Sequence, residues 1–328
     1  MASPTHGRRA LICGVSGQDG PYLARLLLQK GYQVFGTSRD AQVNSFAGLK
    51  RLGIYEQVQL HSMSLTDFRS VLQTVSSVEP QEIYNLAGQS SVGLSFKQPV
   101  ETLESISIGT LNLLEVIRFL GAETLFYNAG SSECFGETST EGANEDTRFR
   151  PRSPYAVAKC TAFWEVANYR EAYQLKACSG LLFNHDSPLR PERFVTQKIV
   201  AAACRIAAGS RETLRLGAIE VQRDWGWAPE YVEAMWAMLQ RAEPDDFVIA
   251  TGESHSLGAF MEATFEAVGL DAADHVETDP SLLRPSDIAH GKGDPSKARN
   301  VLGWTARYRM HDVVRMMVEA RRQHPSAP

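Results

Sequence analysis

Apolar residues recur along this chain in short runs that alternate between two periods. A compact apolar run at 8–13 gives way to a stretch at 22–28 whose apolar residues return at helical spacing. Further strand-like runs fall at 33–37, 58–61, 81–86, 123–128 and 180–184, with helix-like segments between them. Strand and helix alternating in this way predict an α/β chain built on a doubly wound parallel sheet. Past about residue 185 the rhythm breaks at a polar, proline-punctuated loop, His185 to Pro191. A helix over 194–208, short strands, an apolar helix over 229–241 and an irregular stretch at 277–296 follow. The organisation predicted is residues 1–185 as a dinucleotide-binding domain and 186–328 as a smaller C-terminal α/β lobe for substrate, with the chain able to cross between them. The tail from His324 onward is expected to fray.

At 328 residues the chain is long enough for substantial cores. A formal charge of −5 with no long basic run gives no reason to invoke nucleic acid. The five cysteines show no metal-like clustering and read as reduced thiols of a cytosolic protein. The histidines lack HxxxH or HxH spacing, so no metal site is predicted. No apolar stretch approaches the ~20 residues of a membrane span, and residues 1–7 are short and polar for a signal peptide.

Candidate chemistry starts at the first strand-to-helix turn. Gly14, Gly17 and Gly20 lie between strand 8–13 and helix 22–28 in GxxGxxG spacing, the variant used by short-chain dehydrogenases/reductases. Glycines permit a tight turn and close backbone approach, and a helix N-terminus offers free N–H groups to a pyrophosphate. The second strand ends in Ser38-Arg39-Asp40. An arginine there suits a ribose 2′-phosphate and points to NADP rather than NAD, although Asp40 beside it would repel that phosphate.

Tyr155 and Lys159 stand four residues apart, on one side of a predicted helix. A lysine ammonium there favours the phenolate and pulls the tyrosine down from its usual value of about 10. Reaching neutrality needs about 4 kcal/mol from lysine, cofactor and hydrogen bonds together. The strand at 123–128 delivers Ser131, Ser132 and Glu133 at its carboxyl end, where open α/β sheets bind their ligands. A hydroxyl, a tyrosine and a lysine suffice for an epimerase or ketoreductase. A glutamate two residues after the hydroxyl supplies a further acid/base, as an internal elimination requires. A non-catalytic NADP-binding regulator on the same fold is the alternative from outside enzymology, and Ser131, Glu133, Tyr155 and Lys159 together speak against it.

Longer strings narrow the class. Ser131 to Gly136, Pro151 to Tyr155, Leu182 to Pro188, Phe194 to Lys198, Arg223 to Gly226 and Tyr231 to Trp236 resemble the GDP-mannose 4,6-dehydratase family, in register from about residue 8 to about 320. The resemblance implies a Rossmann-like fold, a tightly held NADP and redox-neutral dehydration of a GDP-sugar. In that reading Tyr155 and Lys159 act on the sugar 4-hydroxyl, Ser131 bonds the C4 oxygen and Glu133 serves C5 and C6. Around the cofactor it implies the three glycines with Gln18, Asp19 and Arg39. To these it adds Ser64, Leu65, Leu86, Ala87, Gln89, His185 and Arg190. On the substrate side it implies Ser90, Ser91, Ser132, Asn184, Val195 and Lys198, with Arg223, Arg284 and Asp287 toward phosphate, ribose or base.

The chain departs from that family's pattern in places. Ser131 replaces the usual threonine and Gly130 a serine, which would enlarge the space beside the sugar and admit a GDP-linked manno-heptose. Trp227, Asp287, Ser64 and the single Arg39 are further departures. The family also implies a homodimer through helices at about 100–120 and 155–174, or a homotetramer through the Arg39 loop.

Overall fold

A computed structural model describes residues 7–324 of the chain. The leading segment, but for Gly7, and the proline-bounded tail, but for His324, lie outside the described residues. Strands β1 (Arg9–Cys13), β2 (Gln33–Ser38), β3 (Val58–Ser62), β4 (Glu82–Asn85), β5 (Leu125–Ala129) and β6 (Ala177–Leu182) all pair in parallel. Short strands β7 (Asn184–Asp186), β8 (Leu214–Leu216), β9 (Gln222–Arg223), β10 (Trp225–Trp227), β11 (Phe247–Ile249), β12 (His255–Ser256) and β13 (Val276–Thr278) follow. One of these, β11, joins the main sheet beside β6, giving the order β11-β6-β5-β4-β1-β2-β3. The order reverses between β1 and β4, which opens a crevice at their carboxyl ends.

The helices are α1 (Asp19–Gln29), α2 (Ala47–Arg51), α3 (Phe68–Val78), α4 (Val92–Ser95), α5 (Pro99–Leu103), α6 (Gly109–Leu120), α7 (Pro154–Tyr173), α8 (Val195–Ala207), α9 (Ala228–Leu239), α10 (Leu257–Val268) and α11 (Met310–Gln323). Alternate residues of β1 show how the sheet divides them. Ala10 and Ile12 pack with Leu23, Leu27, Met235 and Met238 of α1 and α9. Leu11 and Cys13 face Val71, Leu113 and Val166 of α3, α6 and α7. Both faces are covered, so the strands read as continuous apolar runs. A separate core joins α8, α10 and α11 through Ile199, Phe260, Phe265 and Val314.

Local chemistry sets the ends of the longest helix. Ser153 caps α7 by accepting from the Ala156 N–H at 3.1 Å, and Pro154 begins it with φ already suited to a helix. Three features differ from the sequence pattern. The run at 180–184 is the end of β6 followed, across Phe183, by β7, which pairs with β10 instead. The seventh strand is only three residues long, too short for a periodic signal. The segment at 100–120 is α5 and α6 joined by a π-helical turn, Glu104–Ile108. No helix among the described residues is long and apolar enough to cross a membrane.

One buried charge braces the sheet. Glu82 in β4 is fully buried, and its carboxylate accepts from Tyr84 at 2.7 Å, Tyr32 at 2.9 Å, and Gln240 and Arg8 at 3.2 Å. Burial first, and then the Glu82 charge, push the Tyr32 phenol up to about 12. Glu82→Ala strands both phenols in the interior and is expected to cost about 3 kcal/mol in urea unfolding. A loss below about 0.5 kcal/mol would show that the cluster is not a brace.

Candidate active site

The β1–α1 turn is shaped for close approach. Gly14 has φ +81, and a Cβ there would lie 2.9 Å from the Ala87 Cα at the end of β4. A Cβ on Gly20 would sit 2.6 Å from the Val15 backbone. No side chain caps α1, so its first N–H groups remain available to an anion at the crevice. The Gly17 N–H donates to the Gly14 carbonyl at 3.0 Å and fixes the turn. At the end of β2, Arg39 is largely exposed, with Glu101 at 3.5 Å. The Ser38 hydroxyl is buried without a partner. Asp40 turns its carboxylate inward to its own loop, accepting from the Gln42 N–H at 2.9 Å. These residues fit an adenosine ribose carrying a 2′-phosphate.

The other cofactor-side candidates fall at or just after the ends of β3, β4 and β7. The Leu86 N–H donates to the Cys13 carbonyl, and the Leu65 carbonyl accepts from Asn112 at 2.7 Å. The Ser64 hydroxyl lies 3.1 Å from that of Thr66. Gln89 donates to Thr102 at 3.0 Å and to the Ser91 carbonyl, while Ser91 caps α4 and Ser90 is exposed. From far along the chain, His185 Nε2 comes within 3.0 Å of Asp19, and the Gln18 amide donates to the His185 carbonyl at 3.0 Å. Arg190 follows on the same loop, 3.2 Å from Asp186 and stacked over Phe194.

The catalytic candidates meet where α7 abuts the end of β5. Ser131 caps a 3₁₀ turn, Ser132–Cys134, by accepting from the Glu133 N–H at 3.2 Å. Lys159 Nζ donates to the Ala129 carbonyl at 2.7 Å and lies 5.8 Å from the Tyr155 ring centre. Burial pushes the Lys159 ammonium down to about 8. The Tyr155 phenol moves the other way from the sequence expectation. Burial holds it above its ordinary value, and a hydrogen bond with Ser131 offsets only part of that. In the chain alone, burial outweighs what the Lys159 ammonium, directed at a backbone carbonyl, offers the phenolate. Burial also raises Glu133, against the opposing charges of Arg223 and Arg284.

Those two arginines arrive from later in the chain, at β9 and just before Asp287. Arg223 Nη1 donates to the Ile288 carbonyl at 2.7 Å and Nη2 to Asp287 at 2.8 Å; Arg284 reaches the same carboxylate at 3.2 Å. Asn184 lies in β7 beside Trp225. Val195 opens α8, and Lys198 donates to the Arg215 carbonyl at 2.6 Å, away from the arginine group. Two residues given no role by the sequence complete the frame: Glu137, outside every quoted string, and Asp224, inside the Arg223–Gly226 string. Glu137 accepts from the Ala289 and His290 N–H groups at 3.0 and 2.8 Å, binding the catalytic turn to the arginine loop. Buried Asp224, pushed up to about 6 by burial, accepts from the Thr251 N–H and hydroxyl and from the Gly252 N–H. No local periodicity marks either residue; their partners lie far along the chain.

Gly130 does not enlarge the sugar space. A Cβ there would point at the neighbouring strand, 2.9 Å from the Gly180 carbonyl and 3.3 Å from Leu181. The case for a manno-heptose therefore loses that support.

Fold, glycine turn and the Ser131–Tyr155–Lys159 group define an extended short-chain dehydrogenase/reductase. The GDP-mannose 4,6 dehydratase family model matches residues 11–317. Relatives include GDP-mannose 4,6 dehydratase 1 of Arabidopsis thaliana, 45% identical over 94% of this chain and 88% of that one. GDP-mannose 4,6-dehydratase of Sinorhizobium fredii is 45% identical over 96% of each. Among solved structures, UDP-glucose 4-epimerase of Thermus thermophilus, in complex with NAD, superposes with TM-score 0.85 at 26% identity, over 96% of this chain and 99% of that one. dTDP-glucose 4,6-dehydratase of Bacillus anthracis, in complex with NAD, shares the fold with TM-score 0.85 at 17% identity, over 97% of each. The chain belongs to the GDP-mannose 4,6-dehydratase family.

Gly130→Ala is expected to lower stability by about 1–3 kcal/mol through overpacking against β6, with the ratio of rates on GDP-mannose and a GDP-manno-heptose unchanged. A shift in that ratio without loss of stability would put the site beside the sugar after all.

Proposed function

We propose that this chain converts GDP-mannose to the GDP-4-keto-6-deoxy sugar by internal oxidation, loss of water and reduction, with NADP as cofactor. The observation that carries the reading is a half-buried carboxyl, Glu133, on the same turn as Ser131. Its charge acts on Tyr155, and it feels both arginines of the second lobe. An epimerase needs no such group. When bound at the glycine turn and Arg39, NADP would supply the hydride acceptor for sugar C4 and the hydride donor for C6. Tyr155 takes the proton of the 4-hydroxyl as a phenolate, with Ser131 donating to the oxygen as it becomes a carbonyl. The Lys159 ammonium and an oxidised nicotinamide would favour that phenolate against the burial that raises the phenol. The ketone acidifies C5; Glu133 removes that proton and passes one to the 6-hydroxyl, which leaves as water. As hydride reaches C6, C5 takes a proton from solvent and Tyr155 gives its own back to solvent. Lys159, held on the Ala129 carbonyl, keeps a positive charge beside the phenol. Arg223, Arg284 and Asp287 orient the nucleotide half, with Asn184, Val195 and Lys198 along its path and Ser90, Ser91 and Ser132 toward the sugar. Arg39 and the partnerless Ser38 hydroxyl support a 2′-phosphate on the cofactor. Residues 1–185 hold the cofactor and 186–328 mainly the substrate, with β11 and α9 crossing back onto the main sheet. Five free thiols favour the reducing cytoplasm.

The product from GDP-mannose should be lighter by one water, with solvent deuterium at C5. Glu133→Gln should slow both by about 10²–10⁴-fold while leaving NADP binding intact. Because Glu133 works as a base in its charged form and burial raises its carboxyl, the acidic limb of kcat/KM should lie above the ordinary carboxylate range. Dehydration by the Gln variant within tenfold of the parent would end this mechanism.

A second copy of the chain is the partner that best covers one apolar face. Val100, Ile108, Phe119, Val157, Trp164 and Tyr173 stand exposed together on α5, the π turn, α6 and α7, Trp164 at 62%. A homodimer forms there, and Val43 beside Arg39, 80% exposed, offers the contact for a homotetramer. Trp164→Glu should halve the particle mass, or split a tetramer, in light scattering. An unchanged mass would place the contact elsewhere.

A further inference from the structure

Asp19 opens α1, the helix whose N-terminus is read above as the diphosphate site. A carboxylate in a first turn favours the helix, but it also repels a diphosphate seated on the same N–H groups. This carboxylate has a partner from across the fold. His185 Nε2 lies 3.0 Å from Asp19 Oδ2, and the Gln18 amide donates to Oδ1 at 3.1 Å. The other ring nitrogen, Nδ1, lies 2.7 Å from the Phe183 carbonyl oxygen. A carbonyl only accepts, so Nδ1 carries a proton. Were the ring neutral, its Nε2 lone pair would then face a carboxylate oxygen. The short contact requires another proton, on Nε2 or on Asp19 itself, and the pair is net neutral in either case.

The surroundings isolate that proton. Burial lowers the His185 imidazole, but Asp19 outweighs it and holds the ring above its ordinary value; burial raises Asp19, but His185 outweighs it in the opposite sense. Arg190, on the loop after β7, acts on both. Tyr22 of α1, Tyr127 of β5 and Tyr231 of α9, whose ring stacks on His185 at 4.4 Å, are all held above their usual values by burial. They stay neutral while the pair titrates. The same contact binds the glycine turn to the loop carrying Asn184 and Arg190, because the Gln18 amide also donates to the His185 carbonyl.

We propose that Asp19 and His185 form an electrostatic latch on the dinucleotide: holding their shared proton, they present a neutral helix entrance to the diphosphate, and losing it they place a carboxylate charge against the cofactor and release it. Both are positioning residues, and the inference rests on the dinucleotide reading of the glycine turn. The test is calorimetric titration of NADP into the full chain, stripped of nucleotide, from about pH 6 to pH 10, a span that brackets histidine titration. The parent protein should bind evenly on the acid side and then weaken by up to tenfold per pH unit as the pair deprotonates. Asp19→Asn keeps a donor for a neutral ring nitrogen and carries no charge, so its affinity should lose the alkaline fall. His185→Gln should bind about tenfold or more weakly at neutral pH, and adding Asp19→Asn to it should restore binding. An alkaline fall of the same size in Asp19→Asn, or parental affinity in His185→Gln, would overturn the latch. Absence of NADP and NAD binding by the parent at every pH would overturn the dinucleotide reading and the latch with it.

Discussion

The donation from Lys159 Nζ to the Ala129 carbonyl, 2.7 Å long and buried, is the contact on which the site depends. It ties the first turns of α7 to the last residue of β5. Tyr155 rides on one side of that joint, Ser131 and Glu133 on the other. The chain that separates them, from Gly136 to Arg152, returns to the same place because the Arg150 N–H donates to the Cys134 carbonyl at 2.8 Å. Helix and strand end are therefore held in one geometry by a charged donor and by backbone pairing. Both need burial, since exposed long side chains would trade such partners for water.

Burial exacts an electrostatic consequence that runs through the whole crevice. It lifts the acids Tyr155 and Glu133 and depresses the base Lys159, so each is moved away from its charged form. Opposing contributions come from the partner elements: Ser131 for the tyrosine, Arg223 and Arg284 for the glutamate. In both cases desolvation wins within the chain itself. Groups balanced in this way sit nearer neutrality than their free counterparts when a carboxyl is raised or an amine lowered, which suits proton transfer. The tyrosine is the exception, pushed away from neutrality by the same burial.

Charged and polar contacts join the main sheet to the later part of the chain, beside the apolar packing of α9 and β11 onto that sheet. The main sheet and the α8–α10–α11 core are separate apolar clusters. Between them run Asp19–His185, Glu137 with the Ala289 and His290 N–H groups, and the approach of Arg223 and Arg284 toward Glu133. Polar contacts of this kind depend on protonation and on what fills the crevice. Apolar packing does not, and it holds α9 and β11 on the sheet whatever the crevice contains.

The doubly wound order was legible in the chain because parallel strands buried on both faces leave unbroken apolar runs, and because glycines at 14 and 20 mark a turn that a side chain would obstruct. Tyr155 and Lys159 at helical spacing, and Ser131 and Glu133 at a strand end, were readable for the same local reason. The seventh strand, Phe247–Ile249, was not, since three residues show no period. The direction in which Gly130 faces was hidden too, because a strand's neighbour is chosen by the sheet. So were the rise of Tyr155 and the pairing of Asp19 with His185, which depend on how much water the assembled crevice excludes and on side chains far apart in sequence. Periodicity and turn chemistry are properties of neighbours along the chain, and they determined the fold and the candidate residues. Desolvation and long-range charge are properties of neighbours in space, and only the tertiary structure decided those.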